Sequence, residues 1–408
     1  MGAPRAEQEL HPIHGGSGML VVGLSSGTSF DAVDAAVCEI DLDAGELQLR
    51  PVRWMGHPMP DELRARLAAA LPPHPTSMEE VCRLDCDLGQ LFAAAAVEVV
   101  SECRLEPPDL VACHGQTVFH LVERGQARAS LQLGAPAWIA AATGLPVVSD
   151  FRSADIAAGG QGAPLAALLD SWLLADLPRP WGALNLGGIA NMTIGAADGS
   201  ILAYDLGPAN ALLDAAMGEA TGGRERMDRD GALARRGRCE PGLLRRLLDD
   251  PYYQADPPKS TGKERYNASY LRARAPWPPG PLPDVLATLI ELTAELVAGA
   301  CARFGLREVV VSGGGVRNPA LMERIELVSV PTRYRRSDEL GIPAEAKEAC
   351  LFALLGFLTV QGLPGNLPEA TGARQPVVLG SLTPGVAPLV LPPPAKCPPR
   401  RLRVQPSS

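Results

Sequence analysis

A chain of 408 residues is too long for one ordinary core, so two domains are expected. A net charge of −9 without a basic block argues against nucleic acid as a partner, and apolar runs such as 349–360 fall short of a membrane span. Nine scattered cysteines, odd in number and without a C-x-x-C, read as reduced thiols of a cytoplasmic protein, and the few aromatics imply an aliphatic core.

Residues 1–17 lack the apolar stretch of a signal peptide and read as a disordered extension. The apolar run 19–24 predicts a buried strand, and 30–37 its return as a hairpin. Between them lie Gly23, Ser25, Ser26 and Gly27, small enough for backbone N–H groups to approach a phosphate. Asp31 and Asp34 follow and could hold a metal ion or its waters, although a plain glycine-turn hairpin accounts for the same residues. No Walker loop is present. A strand is expected at 46–53 and a helix at 60–71. Ser77 to Glu80 has the form of a capping box ahead of a helix over 78–103, with Cys82 and Cys86 on its core face. A short strand at 109–112 should end at His114, Gly115, Gln116 and Thr117, the sheet edge where α/β proteins place ligands. A turn with a satisfied polar histidine is the rival reading. A helix at 135–143 and a strand at 146–149 precede Asp150, Arg152 and Asp155. The glycine-rich 159–163 and Pro164 then open a helix. That cluster suits an oxygen-rich ligand, or a structural Asp–Arg pair.

The second half repeats the opening. Residues 183–194 read strand, glycine turn, strand, which suggests an internal duplication. A strand at 201–204 ends in Asp205, before a Gly-Pro turn and a helix at 211–218; the position suits a general base, or an N-cap. Residues 222–282 read as long Pro-rich loops around a short helix at 232–237. Within them Lys259, Ser260, Thr261 and Lys263 are candidates for phosphate contact or domain closure, against an ion-paired surface loop. A helix over 284–304 leads to the strand and three glycines of 309–318, a helix at 319–327 and a strand at 328–332. The apolar helix 344–358 carries Lys347 and Glu348. A carboxylate there implies a partner or a task, unless it is an exposed helix-start glutamate.

Three strand–glycine turns suit one nucleotide gripped between two domains, as in actin-like, sugar-kinase and Hsp70-type ATPases. The motifs narrow this: CHGQT at 113–117, DFRSADIAAGGQGAPLA at 150–166, NLGGIANMT at 185–193, YDLGPANALLD at 204–214, PPKSTGKE at 257–264 and SGGGVRNP at 312–319. Over about 23–385 the chain resembles the anhydro-N-acetylmuramic acid kinase family. It departs from that family's common glycines at Ala32 and Ala209, small for small.

The resemblance implies an α/β fold of two actin-like (ribonuclease H-like) domains around a central nucleotide and sugar cleft. The first would be 18–149 completed by 345–388, the second 150–344 with Pro-rich loops at 222–283, and 389–408 a disordered tail. It implies an ATP- and Mg²⁺-dependent reaction in the cytoplasm, serving peptidoglycan recycling and amino-sugar catabolism. Water opens the anhydro bridge of 1,6-anhydro-N-acetylmuramate, and the freed O6 takes the γ-phosphoryl of ATP. By the resemblance Asp205 is the base and Glu348 faces the sugar. Gly27, Thr28, Ser29, Phe30, Asp31, Ala32, Val33, Asp34, Gly187, Gly188, Asn191, Gly313, Gly314, Gly315 and Asn318 hold the nucleotide. Gln116, Thr117, Asp150, Arg152, Asp155 and Gln161 hold the sugar. Magnesium rides on the phosphates, with Asp31 a candidate partner for its waters, and a homodimer is compatible with the pattern. Two rivals are weaker. An acetate kinase or polyphosphatase needs a basic pocket that 150–162 does not resemble, and an Hsp70-type switch needs a peptide-binding domain after the ATPase.

Overall fold

The computed structural model describes residues 18–27, 30–71, 74–103, 106–257, 259–262, 265–275, 279–395, 398–399 and 401–405. β1 (Met19–Ser26), β2 (Ala32–Asp43) and β3 (Glu46–Pro58) form an antiparallel meander. After α1 (Asp61–Ala70) and α2 (Met78–Ser101), β4 (Leu110–Glu123) returns parallel to β1. β5 (Gln126–Leu133) folds back on β4, α3 (Pro136–Thr143) follows, and β6 (Val147–Ser149) lies parallel to β4.

α4 (Ser153–Ala157) and α5 (Ala166–Leu173) lead to a second meander of β7 (Trp181–Leu186), β8 (Ile189–Gly195) and β9 (Ile201–Pro208). Next come α6 (Asn210–Thr221), α7 (Pro241–Leu248), α8 (Pro251–Gln254), α9 (Ala268–Arg274) and α10 (Leu282–Phe304). β10 (Glu308–Ser312) is parallel to β7; α11 (Pro319–Val328) and β11 (Arg333–Arg336), parallel to β10, complete the sheet. The spatial orders are β3-β2-β1-β4-β6 and β9-β8-β7-β10-β11, one topology used twice. Each has three antiparallel strands and then two parallel ones, the ribonuclease H-like plan of actin-like α/β proteins. The expected fold class and duplication are therefore present.

α12 (Lys347–Val360) crosses back onto the first sheet, followed by α13 (Pro368–Thr371), β12 (Ser381–Thr383) beside β6, and β13 (Arg401–Val404) beside β3. β1 and α12 approach so closely that a Cβ on Gly23 would lie 1.9 Å from the Ala349 carbonyl oxygen. One face of the first sheet packs Val22, Leu24 and Val33 against Leu88 and Phe92 of α2. The other packs Val21 and Leu110 against Phe352 and Leu355 of α12.

Several expectations are corrected. Phe151, Leu165, Leu168 and Leu169 lie in the first sheet's core, so the chain crosses to the second sheet near α5 and β7 rather than at 150. β4 does not stop at 112. It runs on through a register shift around Gly115 (φ +75) and pairs with β5, a hairpin that broken alternation and exposed Phe119, Val122 and Leu131 conceal. The loops expected across 222–283 contain α7, α8 and α9, because Leu243, Leu247 and Leu271, with Tyr266, supply a core without an apolar run. The strand expected at 328–332 is β11, an edge strand and hence polar. The tail is not wholly disordered: β13 pairs with the edge of β3 and buries Leu402. Cys82 is exposed and Cys86 half-buried, because the inner face of α2 is set by Leu84, Leu88, Leu91 and Phe92. Residues 1–17 and Lys263 lie outside the described residues.

One helix among the described residues, α10, is long and apolar enough to cross a membrane by length and composition. Two thirds of that stretch (67%) is buried in the second sheet's core.

Candidate active site

The glycine turns meet around residues 344–348, at the start of α12. On one side Ser25 Oγ, at the end of β1, donates to Glu348 Oε2 at 3.1 Å. On the other, Gly313 N–H donates to the Ala344 carbonyl at 3.0 Å, and Arg317 pairs with Glu345. Gly313 (φ +87) sits against the end of β7, where a Cβ would lie 2.5 Å from Asn185 Oδ1. Gly315 is as close to Leu186, whereas Gly314 has open space around its Cβ position. Gly27 closes its turn by accepting from Phe30 N–H at 3.1 Å. Thr28 and Ser29 lie outside the described residues.

Asp34 is the electrostatic outlier. Its carboxyl is pushed up to about 7, first by burial, then by Glu348, Asp31 and Glu345, with Arg317 opposing. Asp31 itself is exposed and Ala32 half-buried. Val33 belongs to the α2-side core, so its expected nucleotide role falls to its backbone at most; alternation along β2 turns its side chain inward.

On the expected sugar side, buried Gln116 accepts from Ser26 Oγ at 2.7 Å through Oε1. Thr117 Oγ1 accepts from Gln132. Arg152 donates from Nη1 to the Gly162 carbonyl at 2.6 Å and from Nε to His114 Nε2 at 3.1 Å. His114 stacks on Phe352 with ring centroids 4.4 Å apart. Burial, then Arg152, holds it well below its ordinary pKa, so it is a neutral acceptor. Glu348 and Asp155 both favour the Arg152 charge against its burial. Asp150 adopts φ +55 and accepts from Ser153 N–H and Oγ.

Two expected sugar ligands turn away. Asp155 is fully buried: its oxygens accept from Asn366 Nδ2, Thr371 Oγ1 and Gly162 N–H, each at 2.7 Å. Gln161 accepts from Ala127 N–H and donates to the Gly125 carbonyl, at the tip of the β4–β5 hairpin. A glycine-rich loop needs partners for its backbone groups, and these side chains supply them.

In the second sheet, Asn185, Asn191 and Asp205 stand directly opposite one another on β7, β8 and β9 and so share a face. Asp205 Oδ2 accepts from Thr261 N–H at 2.8 Å. The Gly187 carbonyl accepts from Asn210 N–H and Nδ2, and that of Gly188 from Ala209 N–H, at the start of α6. Ala209 has φ −121, so replacing glycine there brings no left-handed strain. Asn318 caps α11 by accepting from Leu321 N–H, which occupies its carboxamide oxygen. Lys259 is tethered: Nζ donates to the Tyr252 and Tyr253 carbonyls at 2.9 and 3.2 Å.

The sequence pattern of anhydro-N-acetylmuramic acid kinases matches residues 19–385. The chain belongs to the anhydro-N-acetylmuramic acid kinase family. Proteins of that name from Streptomyces coelicolor and Streptomyces avermitilis are each 54% identical to it, over 95% and 94% of this chain and 99% of theirs. The one from Rhodococcus erythropolis is 47% identical over 90% of this chain and 94% of its own.

A member of this kinase family works with ATP, and the turns around 344–348 offer backbone groups and small residues for it. Among the described residues no three His, Cys, Asp or Glu side chains converge as a metal cage. The crowding that pushes up Asp34 nonetheless fits a nearby cation carried on phosphates. Ser25, expected only as part of a phosphate-approaching turn, holds Glu348 by its hydroxyl, and Asn185 and Asn210 stand beside the glycine turns without having been singled out. Asn185 and Asn210 do stand within the quoted motifs, but pairing across strands is what gives them a common face or turn.

Proposed function

We propose that this kinase phosphorylates 1,6-anhydro-N-acetylmuramate at O6 while water opens the anhydro bridge, giving N-acetylmuramate 6-phosphate and ADP in the recycling of peptidoglycan sugars. Family membership supports the reaction. The geometric observation that carries it is that the end of β1 and the glycine turn after β10 both bond to the short segment 344–348, Ser25 to Glu348 and Gly313 to Ala344. Asp205 takes the proton of the attacking water, and the γ-phosphoryl captures O6 as it leaves, so no separate acid is required. Glu348, held by Ser25, faces the sugar hydroxyls; Gln116, Thr117, Asp150 and Arg152 line the same side. Turns at 27, 187–188 and 314–315 hold the nucleotide through backbone N–H groups, and Gly313, whose N–H donates to the Ala344 carbonyl, lets it approach by having no side chain. A magnesium ion, when bound, would neutralise charge on the transferring phosphoryl group, with Asp34 and Asp31 placed for its waters. The eight described cysteines are all free thiols, which supports a cytoplasmic enzyme.

Incubation with ATP, Mg²⁺ and the anhydro sugar in ¹⁸O-labelled water should give a phosphorylated product labelled at C1. Asp205→Asn should lower turnover by about 10²- to 10⁴-fold with nucleotide affinity little changed. Near-normal turnover would remove Asp205 from the mechanism, and lost nucleotide binding would make it a phosphate or metal ligand.

A further inference from the structure

We propose that Lys259, Ser260 and Thr261 form a strap that positions Asp205 and keeps it ionised, an inference that rests on Asp205 being the base. β9 is the outer strand of the second sheet, so the backbone of Asp205 has no strand beyond it. The strap supplies the missing partners. Asp205 N–H donates to the Lys259 carbonyl at 3.1 Å, and Thr261 N–H donates to Asp205 Oδ2 at 2.8 Å. Tyr252 Oη, from α8, donates to the Asp205 carbonyl at 2.9 Å. Tyr252, Lys259 and Thr261 therefore grip the aspartate by its main chain and by one carboxylate oxygen.

The strap is itself anchored. Lys259 Nζ donates to two carbonyls of α8 and lies 4.8 Å from the centre of the Tyr252 ring. Behind it Tyr253 stacks on the buried Tyr266, with ring centroids 6.2 Å apart. Two of the three ammonium donors of Lys259 are thus spent on holding the strap to α8.

Two consequences follow for a base. A backbone N–H on one carboxylate oxygen fixes the plane of the group, and a donor there favours the charged form that accepts a proton. Among the described residues, Tyr252 from α8 and Lys259 from the strap stand beside Asp205, with Arg265 5.4 Å from the Tyr252 ring; Asn191 on β8 is neutral. Burial, then Asp205, holds Tyr252 above its usual range. Lys259 is lowered by burial, then by Arg303. Asp34 titrates about pH 7 in every form, so the shift of the acidic limb relative to Thr261→Ala, rather than the limb itself, reports on the Asp205 carboxylate.

The test removes one hydrogen atom. Thr261→Pro deletes the N–H, and a backbone ester at 261, made with the α-hydroxy analogue of threonine, deletes it without the proline ring. Thr261→Ala keeps the N–H and gives the baseline. For all three, kcat/KM is measured from about pH 3.5 to 9, alongside the Kd of a non-hydrolysable ATP analogue. The proposal expects the ester and proline forms to move the acidic limb upward by about one pH unit relative to Thr261→Ala, with up to about a tenfold loss below it and an unchanged nucleotide Kd. An ester form with the baseline profile overturns the strap even if Asp205→Asn is inactive. An active Asp205→Asn overturns the reading beneath it and the strap together. If the proline form does not fold, the ester form decides alone.

Discussion

Asp34 is where a single residue is most legible as physics. Its carboxyl ionises about pH 7 in the folded chain against 3.8 for the ordinary group, with burial as the first cause and Glu348 as the second. Between those values the folded state holds a proton that the unfolded chain has released. The stabilisation from this group is complete below about pH 4, declines as pH rises, and is gone above about pH 7. Asp34→Asn removes the titration. The thermal midpoint of the variant should gain on wild type from pH 5 to pH 8, measured without nucleotide, and Mg²⁺ with ATP should narrow the gap at pH 8. An offset independent of pH would mean that Asp34 is solvated rather than crowded.

At the scale of elements, the contact of β1 with α12 decides where Glu348 stands. Gly23 allows it: a methyl group there would overlap the Ala349 carbonyl at 1.9 Å and the Ala353 nitrogen at 2.7 Å. Backbone atoms of a packed helix do not yield as a flexible side chain would. Gly23→Ala should destabilise the chain by about 1–3 kcal/mol, or more if α12 cannot shift. It should also raise the KM for sugar, because displaced α12 carries Glu348 away from Ser25. Urea denaturation and sugar titration check both, and wild-type values in each would show that the helix has room to move.

At the scale of the whole molecule, one buried ion pair spans the two sheets. Lys347 Nζ, on α12, lies 2.5 Å from Asp170 Oδ1 of α5, and Asp170 Oδ2 accepts from Thr193 of β8 at 2.7 Å. Their side chains are 8% and 4% exposed, so removing one charge strands the other. Lys347→Met should lose about 3–5 kcal/mol. The double variant with Asp170→Asn should recover part of that loss, and additive losses in the cycle would argue against coupling. The same junction lies between two half-sites that must meet to exclude water from the phosphoryl group. Small-angle scattering with sugar and a non-hydrolysable ATP analogue should therefore show a smaller radius of gyration than the free chain. Superimposable profiles would remove closure from the cycle.

What the sequence determined by itself was what a strong local pattern marks. Strand, glycine turn and strand at 19–37 and again at 183–194 revealed the duplication, and both sheets adopt one topology. Ser77 accepts from Glu80 N–H, one half of the capping box expected at the start of α2, while the Glu80 carboxylate pairs with Arg66. Asp205 and Glu348 stood out because carboxylates occupied apolar surroundings or strand ends. Only the tertiary structure decided which side chains are used up in holding the fold. Asp155 has the same local look as Arg152, yet its partners Asn366 and Thr371 are 211 and 216 residues away and turn it inward. β13 likewise forms because β3 has an open edge far away in sequence, and the strap at 259–261 because β9 does. The free energy that settles such positions comes from desolvated hydrogen bonds and edge pairing between distant segments, and no local periodicity encodes the partner.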